Sequence, residues 1–292
     1  MREATSRVAP HCLASTRLSP QAIGRAATLA LHDELALSPK PGLVTLVDRG
    51  SHDDMDAHTF MRSLFALRGY FVRIAGLGAM GAPFEYLERC GIEAETRMLA
   101  ATGGINTHRG AIFTLGLLCA AAGAVANTGH IPSPELLRRT LFQHWGGALA
   151  SRAARQSTLP GGIAARRYGL RSASTEAALG FPVLFETALP AMQAGSARDL
   201  ERQHVLLDTL FHVIAVMDDS NLAHRGGIQG LHFAQHVAGG FLAAGGAARP
   251  NGVAAALEIG RDFVSRRLSP GGAADTLAAA CLVARIGKLS ME

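Results

Sequence analysis

Apolar residues along this chain recur at the three- and four-residue spacing that places them on one face of an α-helix. Phe60, Leu64, Leu67, Phe71 and Ile74 give one clear example. The strict alternation that marks a half-buried strand is nearly absent. The pattern therefore predicts an all-α fold, a single globular multi-helix domain with site loops at helix N-termini. The predicted helices cover about residues 20–37, 60–77, 84–100, 111–123, 134–154, 175–193, 199–216, 252–268 and 273–286, with another helix carrying His232 and His236.

Prolines and serines mark where several of these helices begin and end. Ser19-Pro20 and Ser133-Pro134 each combine an N-cap serine with a proline in the first helical turn. Pro39-Lys40-Pro41 ends the first helix, and its two prolines hold Lys40 on a stiff loop. Residues 1–18 show no period and are predicted to form a flexible arm, whereas residues 19–292 show no linker or repeat and are predicted to form one domain.

The composition narrows the class of function. A net charge of +5 with dispersed arginines suits an anionic small molecule better than a nucleic acid. Four scattered cysteines without a C-x-x-C pair favour a reducing cytoplasm, and no signal peptide is visible. Ala111–Ala126 is shorter than the ~20 residues that span a bilayer and is read as a buried helix. We therefore expect a cytoplasmic protein without a nucleic-acid or membrane partner, and a homodimer only by default.

Thr102–Gly110 carries the densest set of polar donors in the sequence. Gly103 and Gly104 allow a sharp bend, and Asn106-Thr107-His108-Arg109 stands at the start of the apolar helix. Helix starts carry partial positive charge and suit anions such as phosphate. An ordinary polar helix cap explains this segment alone equally well.

Asp48–His58 is a second candidate segment, with four aspartates and two histidines in eleven residues. Aspartates at a helix start serve as caps, and one would be enough. The surplus points to metal coordination or general-base catalysis, and carboxylate oxygens suit Mg²⁺ bound with a polyphosphate.

Met217–Gly227 is a third candidate segment, with acids, an amide, an arginine and two glycines at a predicted helix junction. Asp275 is predicted to cap the last helix, with metal binding as the alternative. The Gly- and Arg-rich segment 158–174 is predicted to be a mobile loop, which could act as a lid over a phosphate site. His232 and His236 lie four apart, but Phe233 replaces the glutamate that a zinc-protease motif needs.

Five segments together resemble the triphosphoribosyl-dephospho-coenzyme A synthases, which serve the acyl-carrier subunits of citrate lyase and malonate decarboxylase. The resemblance covers residues from about 22 to 284 but is poor over 127–172. The departures at Ser51, Gly103, Arg109, Ser220 and Ala273 are mild, and Arg109 keeps the charge of the lysine common there. The five segments are Ser38–Val44, Gly50–Asp56, Thr102–Phe113, Asp219–Gly227 and Ser269–Asp275.

The resemblance implies an unusual transfer reaction. ATP and 3′-dephospho-coenzyme A would react to release adenine and leave a 5″-triphosphoribosyl group α-linked to a 2′-hydroxyl, with one inverting displacement. Mg²⁺ is expected with ATP, and the product would pass to a carrier-protein transferase. The isolated chain, not fused to such a transferase, favours the malonate decarboxylase pathway. The alternatives are a Mg²⁺-dependent hydrolase of nucleotides or ADP-ribose and a non-catalytic nucleotide-binding assembly protein.

The resemblance also implies roles for individual residues. Phosphate contacts would come from Lys40, Arg109 and Arg225 and from the backbones of Gly103, Gly104, Gly226 and Gly227. Sugar or adenine groups would be fixed by Asn106, His108 and Asn221, with Thr107 as a further substrate contact. Metal binding and general-base catalysis would be shared among Asp54, Asp56 and Asp219.

Overall fold

The computed structural model of the chain describes residues 18–289, and every regular element in that range is a helix. The predicted arm at residues 1–18 lies almost wholly outside this range. The helices are α1 Pro20–Ala36, α2 Ala57–Ala79, α3 Phe84–Thr102, α4 Arg109–Asn127, α5 Pro134–Ala153, α6 Pro160–Tyr168, α7 Ala173–Ala178, a π-helix Val183–Ala188, α8 Leu189–Ala197, α9 Arg202–Val216, α10 Ser220–Ala243, α11 Gly252–Ser265 and α12 Gly271–Leu289.

The two Ser-Pro pairs begin helices as predicted. Ser19 Oγ accepts a hydrogen bond from the backbone N–H of Ala22 at 3.1 Å, and Ser133 Oγ accepts one from Leu136 N at 3.2 Å. Each proline occupies the first turn, where its missing N–H costs no hydrogen bond.

The apolar stretch predicted as a core helix forms α4 at the centre of the molecule. Within residues 18–289, α4 is the one helix long and apolar enough to cross a membrane. However, 78% of its most apolar window is buried against other helices, mainly α2 and α12. Its apolar character is therefore explained by packing inside the protein.

Glycines allow α2 and α4 to cross closely. A Cβ added at Gly78 would lie 1.9 Å from the carbonyl oxygen of Ala120, and one added at Gly123 would lie 2.0 Å from that of Ala75. The Tyr70 hydroxyl donates to the carbonyl oxygen of Ile112 at 2.8 Å on the same interface. This crossing fixes the position of the N-terminal end of α4.

Two sequence predictions about residues 158–193 were wrong. The expected loop contains α6 and the start of α7, and the expected helix over 175–193 is divided into α7, the π-helix and α8. Pro190 lacks an N–H and its ring conflicts with a regular helical turn before it, which accounts for the wider π-helical turn. Glu176 Oε1 accepts a hydrogen bond from Val183 N at 2.7 Å and so fixes the start of the π-helix.

The helix junction predicted at 217–227 is present. Helix α9 ends at Val216 and α10 begins at Ser220, and at Gly227, where φ is 63° and ψ is −172°, α10 is broken into two helical segments. A Cβ at Gly226 would lie 2.4 Å from the Leu268 side chain. This glycine pair therefore bends a helix and brings it close to the α11–α12 connection.

Candidate active site

A cavity of about 810 Å³ lies where four helices of at least nine residues begin. Its wall includes the first residues of α4 (Arg109–Gly110), α6 (Pro160–Gly162), α10 (Ser220–Asn221) and α12 (Gly271–Gly272). A helix start carries partial positive charge. At α10 and α12 the Asp219 carboxylate already accepts hydrogen bonds from the first N–H groups, whereas α4 and α6 have no carboxylate cap. The arrangement favours an anionic ligand.

Five arginines within the described range also line this cavity. Arg109 and Arg225 were assigned to phosphate contacts from the sequence, Arg155 and Arg171 border or belong to the Gly- and Arg-rich segment that was predicted to be a mobile loop, and Arg152 was not singled out. Arg109 Nε donates to Glu95 Oε1 at 2.6 Å, which holds its side chain beside the cavity. The wall therefore carries arginines on several sides, and four of the five are paired with carboxylates. The five are Arg109, Arg152, Arg155, Arg171 and Arg225.

Arg225 joins three of the sequence segments at the cavity wall. Its Nη1 donates to the carbonyl oxygen of Ser51 at 3.0 Å and its Nη2 lies 3.0 Å from His52 Nδ1. Since arginine can only donate, His52 Nδ1 accepts, and the ring proton is on Nε2, 3.0 Å from Ser269 Oγ. Burial, helped by the positive charge of Arg225, lowers the pKa of His52 to about 4. His52 is thus neutral at physiological pH.

Asn106, Thr107 and His108 lie on the cavity wall at the start of α4. Asn106 Oδ1 accepts a hydrogen bond at 3.1 Å from the N–H of Arg109, the first residue of α4, and the N-cap residue is His108. His108 is 3% exposed, and its Nδ1 lies 2.6 Å from Ser63 Oγ. Two roles were predicted for this segment, a polar helix cap and a ligand contact. The N-cap His108 makes no side-chain cap hydrogen bond, and the residues from Asn106 to Arg109 all line the cavity.

Gly103 and Gly104 terminate α3 and do not line the cavity. Both have positive φ, 70° and 91°, and Gly104 N donates to the carbonyl oxygen of Leu99 at 2.8 Å. These contacts are those of a helix C-cap. The predicted phosphate cradle at this pair, like the one at Gly226–Gly227, is therefore not part of the cavity wall.

Asp54 and Asp56 lie outside the cavity. Asp56 caps α2: its Oδ1 accepts from Thr59 N and from Thr59 Oγ1, each at 3.0 Å, and its Oδ2 lies 3.2 Å from Arg49 Nη2. The hydrogen bonds from Thr59 lower the pKa of Asp56. Asp54 has a side chain that is 63% exposed, with Oδ1 3.8 Å from His52 Nδ1. Capping, the simpler of the two predicted roles, explains Asp56.

Asp219 is buried and joins the starts of two helices. Its Oδ1 accepts from Asn221 N at 2.9 Å and from Leu222 N at 3.3 Å in α10. Its Oδ2 accepts from Ala273 N at 3.0 Å in α12, and Gly272 N supplies a fourth hydrogen bond. Burial raises the pKa of Asp219, and these backbone hydrogen bonds oppose that effect. Its oxygens are fully used in positioning the site.

Lys40 is buried beneath the cavity rather than on its wall. Its Nζ donates to the carbonyl oxygen of Glu34 at 2.7 Å and lies 2.5 Å from Glu34 Oε1. Burial lowers the pKa of Lys40, opposed by the charge of Glu34. In this conformation Lys40 is paired with Glu34, whose side chain reaches the wall.

Among residues 18–289, four other carboxylates line the cavity, and sequence motifs pointed to only two of them. Asp275 is the fifth residue of α12, not its cap, and it accepts a hydrogen bond from the backbone of Ala111 in α4. Burial and the charges of Glu34 and Asp219 raise the pKa of Asp275 well above its usual value. Asp218 Oδ2 accepts from Arg171 N at 3.1 Å. The four are Glu34, Glu176, Asp218 and Asp275.

The described residues contain no group of three histidine, cysteine or acidic side chains that could hold a metal ion. Asp54, Asp56 and Asp219 are thus not brought together as a metal site, and His232 and His236 gain no third ligand. Mg²⁺ often binds to one or two carboxylates together with substrate phosphates. The acids on the wall fit a metal ion that enters with a nucleotide, but not one held by protein ligands alone.

The sequence was compared with known proteins. The profile of a family described as ATP:dephospho-CoA triphosphoribosyl transferase matches residues 20–292. A probable 2-(5″-triphosphoribosyl)-3′-dephosphocoenzyme-A synthase of Vibrio cholerae serotype O1 (strain M66-2) is 38% identical over 281 residues, 92% of this chain and 90% of that protein. Proteins of the same name from Acinetobacter calcoaceticus (36% identical; 86% of each chain) and Pseudomonas fluorescens (38%; 88% and 89%) are also similar. No solved structure matches this chain.

Proposed function

Because this chain belongs to the ATP:dephospho-CoA triphosphoribosyl transferase family, we propose that its cavity binds ATP and 3′-dephospho-CoA together. The enzyme would transfer the 5-triphosphoribosyl group of ATP to the 2′-hydroxyl of 3′-dephospho-CoA and release adenine. The observation that carries this proposal is the meeting of four helix starts and five arginines on one cavity. Both substrates carry phosphates, and such a wall suits them.

The transfer replaces one bond to the ribose C1′ atom by another. The bond between C1′ of ATP and N9 of adenine breaks, and a bond from C1′ to the acceptor 2′-oxygen forms. The acceptor hydroxyl loses its proton, and adenine leaves with one. Positive charge develops on the sugar as in glycoside cleavage, so carboxylates near C1′ stabilise the transition state.

The carboxylates on the wall are better placed for this chemistry than Asp54, Asp56 and Asp219. Burial raises the pKa of Asp275 well above its usual value, which favours the protonated carboxyl and suits it to donate a proton to the departing adenine. Asp218 accepts one hydrogen bond from Arg171 N and keeps acceptor capacity for the proton of the acceptor hydroxyl. We assign these two residues the acid and base roles.

The triphosphate would contact the arginines, and Mg²⁺ would accompany it. When bound, Mg²⁺ neutralises phosphate charge. Glu176 and Asp218 lie on the wall beside Arg171, with Arg171 Nη1 3.4 Å from Glu176 Oε2 and Arg171 Nε 3.6 Å from Asp218 Oδ2. This mixed set of charges supports a ligand that combines phosphates with a divalent cation.

We further propose that the product passes to a carrier-protein transferase of the malonate decarboxylase pathway rather than of citrate lyase. This choice rests on the sequence-based expectation alone. Incubation of the product with each apo-carrier protein and its transferase tests it. Loading of the malonate decarboxylase carrier supports the choice, and loading of the citrate lyase carrier alone contradicts it.

The primary test is adenine release from ATP with Mg²⁺, with and without 3′-dephospho-CoA, followed by chromatography and mass analysis. Release that requires the acceptor, with a product heavier by one triphosphoribosyl group, is expected. Release of free ribose 5-triphosphate without acceptor would indicate a hydrolase. Bound ATP that keeps its adenine would indicate a non-catalytic nucleotide-binding protein.

The variants Asp275→Asn and Asp54→Asn distinguish the assignment of catalytic acids proposed here from the assignment made from the sequence. Loss of a general acid lowers turnover about a hundredfold or more, so we expect that loss for Asp275→Asn. A larger loss of turnover for Asp54→Asn than for Asp275→Asn would favour the assignment made from sequence.

A further inference from the structure

Two neighbouring side chains at the start of α4 have buried polar atoms without a hydrogen-bond partner in the described part of the chain. They are Nε2 of His108 and Oγ1 of Thr107. Both residues line the cavity, and His108 is only 3% exposed. Leaving a buried polar group unpaired destabilises the folded protein, so such atoms point to a ligand that pairs with them.

The contact with Ser63 determines which nitrogen of His108 carries the proton. Ser63 is fully buried, and its Oγ lies 2.6 Å from His108 Nδ1. If Ser63 donates to Nδ1, the only polar group left unpaired in this pair is Nε2–H. If Nδ1–H donates instead, both the Ser63 O–H and the Nε2 lone pair lose a partner. The first arrangement leaves fewer buried groups unpaired, so Nε2 carries the proton.

The surroundings of the ring keep it neutral. Burial lowers the pKa of His108 to about 3, and the nearby positive charge of Lys40 acts in the same direction. Lys40 comes from the loop after α1 and is paired with Glu34. From α2, the ring meets the Ser63 hydroxyl and, edge-on at 4.9 Å between ring centroids, Phe60. His108 is therefore a hydrogen-bond donor at Nε2 and not a base.

We propose that Nε2–H of His108 donates to a phosphoryl oxygen of the ATP triphosphate, and that Ser63 is a positioning residue that fixes this tautomer. Thr107 Oγ–H and the Arg109 guanidinium line the same wall as further donors. Three adjacent donors fit a group that only accepts hydrogen bonds, as a phosphate does. A ribose hydroxyl would still need an acceptor for its own proton. The inference takes its ligand from the proposed function.

Nitrogen-15 NMR of the full chain, labelled at histidine, tests the protonation directly, with the His108 signals assigned by their loss in His108→Gln. We expect Nε2 protonated and Nδ1 unprotonated from pH 5.5 to 8, and a shift of the Nε2–H signal on addition of ATP or inorganic tripolyphosphate but not of adenosine. A proton on Nδ1, a titration within that range, or a response to adenosine alone would overturn the proposal.

A matched pair of substitutions distinguishes a role of Nε2 in ATP binding from a role of Nδ1. The side-chain amide of glutamine reaches the place of Nε2, whereas that of asparagine reaches the place of Nδ1. We expect KM for ATP to rise about tenfold in His108→Asn, the effect of one lost hydrogen bond, and to change much less in His108→Gln. Equal effects of the two substitutions would contradict a role for Nε2.

Ser63→Ala provides a second test of the proposal, which applies even if a His108 variant does not fold. Without the serine hydroxyl, the ring is expected to populate both tautomers, and KM for ATP should rise severalfold with kcat little changed. An unchanged tautomer in Ser63→Ala would contradict its positioning role. The NMR measurement requires no catalytic turnover. If adenine is not released but the Nε2–H signal still shifts on addition of ATP, the proposed reaction is overturned and this inference is not.

Discussion

Two buried aspartates beside the cavity differ in what their oxygens contact. Burial raises the pKa of both carboxyls, but four backbone N–H groups oppose that effect at Asp219 and only one does so at Asp275. Asp219 therefore holds α10 and α12 together, whereas Asp275 is suited to the proposed role of proton donor. Residue type alone does not separate these roles.

The raised pKa of Asp275 makes its contribution to stability depend on pH. The folded protein keeps a proton on Asp275 at pH values where the unfolded chain, with an ordinary carboxyl, has lost it. The stabilisation is thus complete below about pH 4 and is lost as the pH rises through the folded pKa. Because asparagine stays neutral, Asp275→Asn should be more stable than the wild type at pH 8, with the difference shrinking toward pH 4. Urea unfolding at pH 4, 6 and 8 measures this, and a difference independent of pH would contradict it.

Asp219→Asn is expected to lower the free energy of unfolding by about 2 kcal/mol or more, because an amide can accept at only one of its two polar atoms. Asp56→Asn is the matched control, since Asp56 caps only α2. Thermal unfolding should show the larger fall in Tm for Asp219→Asn. An unchanged Tm with lost adenine release would instead support the catalytic role that the sequence suggested.

At the scale of helices, the α2–α4 crossing depends on glycines that leave no room for a methyl group. Gly78→Ala should destabilise the protein by about 1–3 kcal/mol, because its Cβ would meet the Ala120 carbonyl oxygen at 1.9 Å. Gly76→Ala in the same helix meets nothing within 4 Å and should stabilise by up to about 1 kcal/mol through helix propensity. Urea unfolding of both variants compares them, and similar effects would contradict the close crossing.

A helix could be predicted from the sequence where its apolar spacing or its capping residue lies within the segment that forms the helix. The apolar spacing of α2, the Ser19 and Ser133 caps and the apolar run of α4 all lie within single segments. The region of α6 to α8 was misread because its short helices are stabilised by contacts with other parts of the chain, such as the hydrogen bonds from Arg171 N to Asp218 Oδ2 and from Arg138 Nη2 to Glu186 Oε1. Gly161 contributed to the loop prediction, but in the structure it packs against Ser220, which is distant in the sequence.

At the scale of the whole molecule, the cavity is assembled from segments far apart in the chain. The sequence located Asn106, His108, Asn221 and Arg225 on this wall, because motifs at helix starts carry a local signal. It could not show that Asp219 would meet the start of α12 or that Asp275 would meet Ala111, because those contacts depend on tertiary packing. Caps and catalytic acids look alike until that packing is known.

The lack of a three-ligand metal group in residues 18–289 leads to a prediction for the entire protein. EDTA should stop adenine release, because Mg²⁺ would arrive with ATP, but it should leave Tm unchanged in the absence of nucleotide. A thermal melt and an activity assay with EDTA, each repeated after excess Mg²⁺ is restored, measure both effects. A fall in Tm on chelation would indicate a resident structural metal.

The position of α4 at the centre of the fold also has a consequence for how the protein is made. During synthesis α4 leaves the ribosome soon after α2, but α12, its other main neighbour, is the last of the described helices. At ordinary translation rates this interval is roughly 10–30 s. An apolar helix that is long enough to cross a membrane thus stays uncovered, in the nascent chain, on the face that later packs against α12. Chaperones that hold such segments should therefore matter more for the yield of this protein than its final stability suggests.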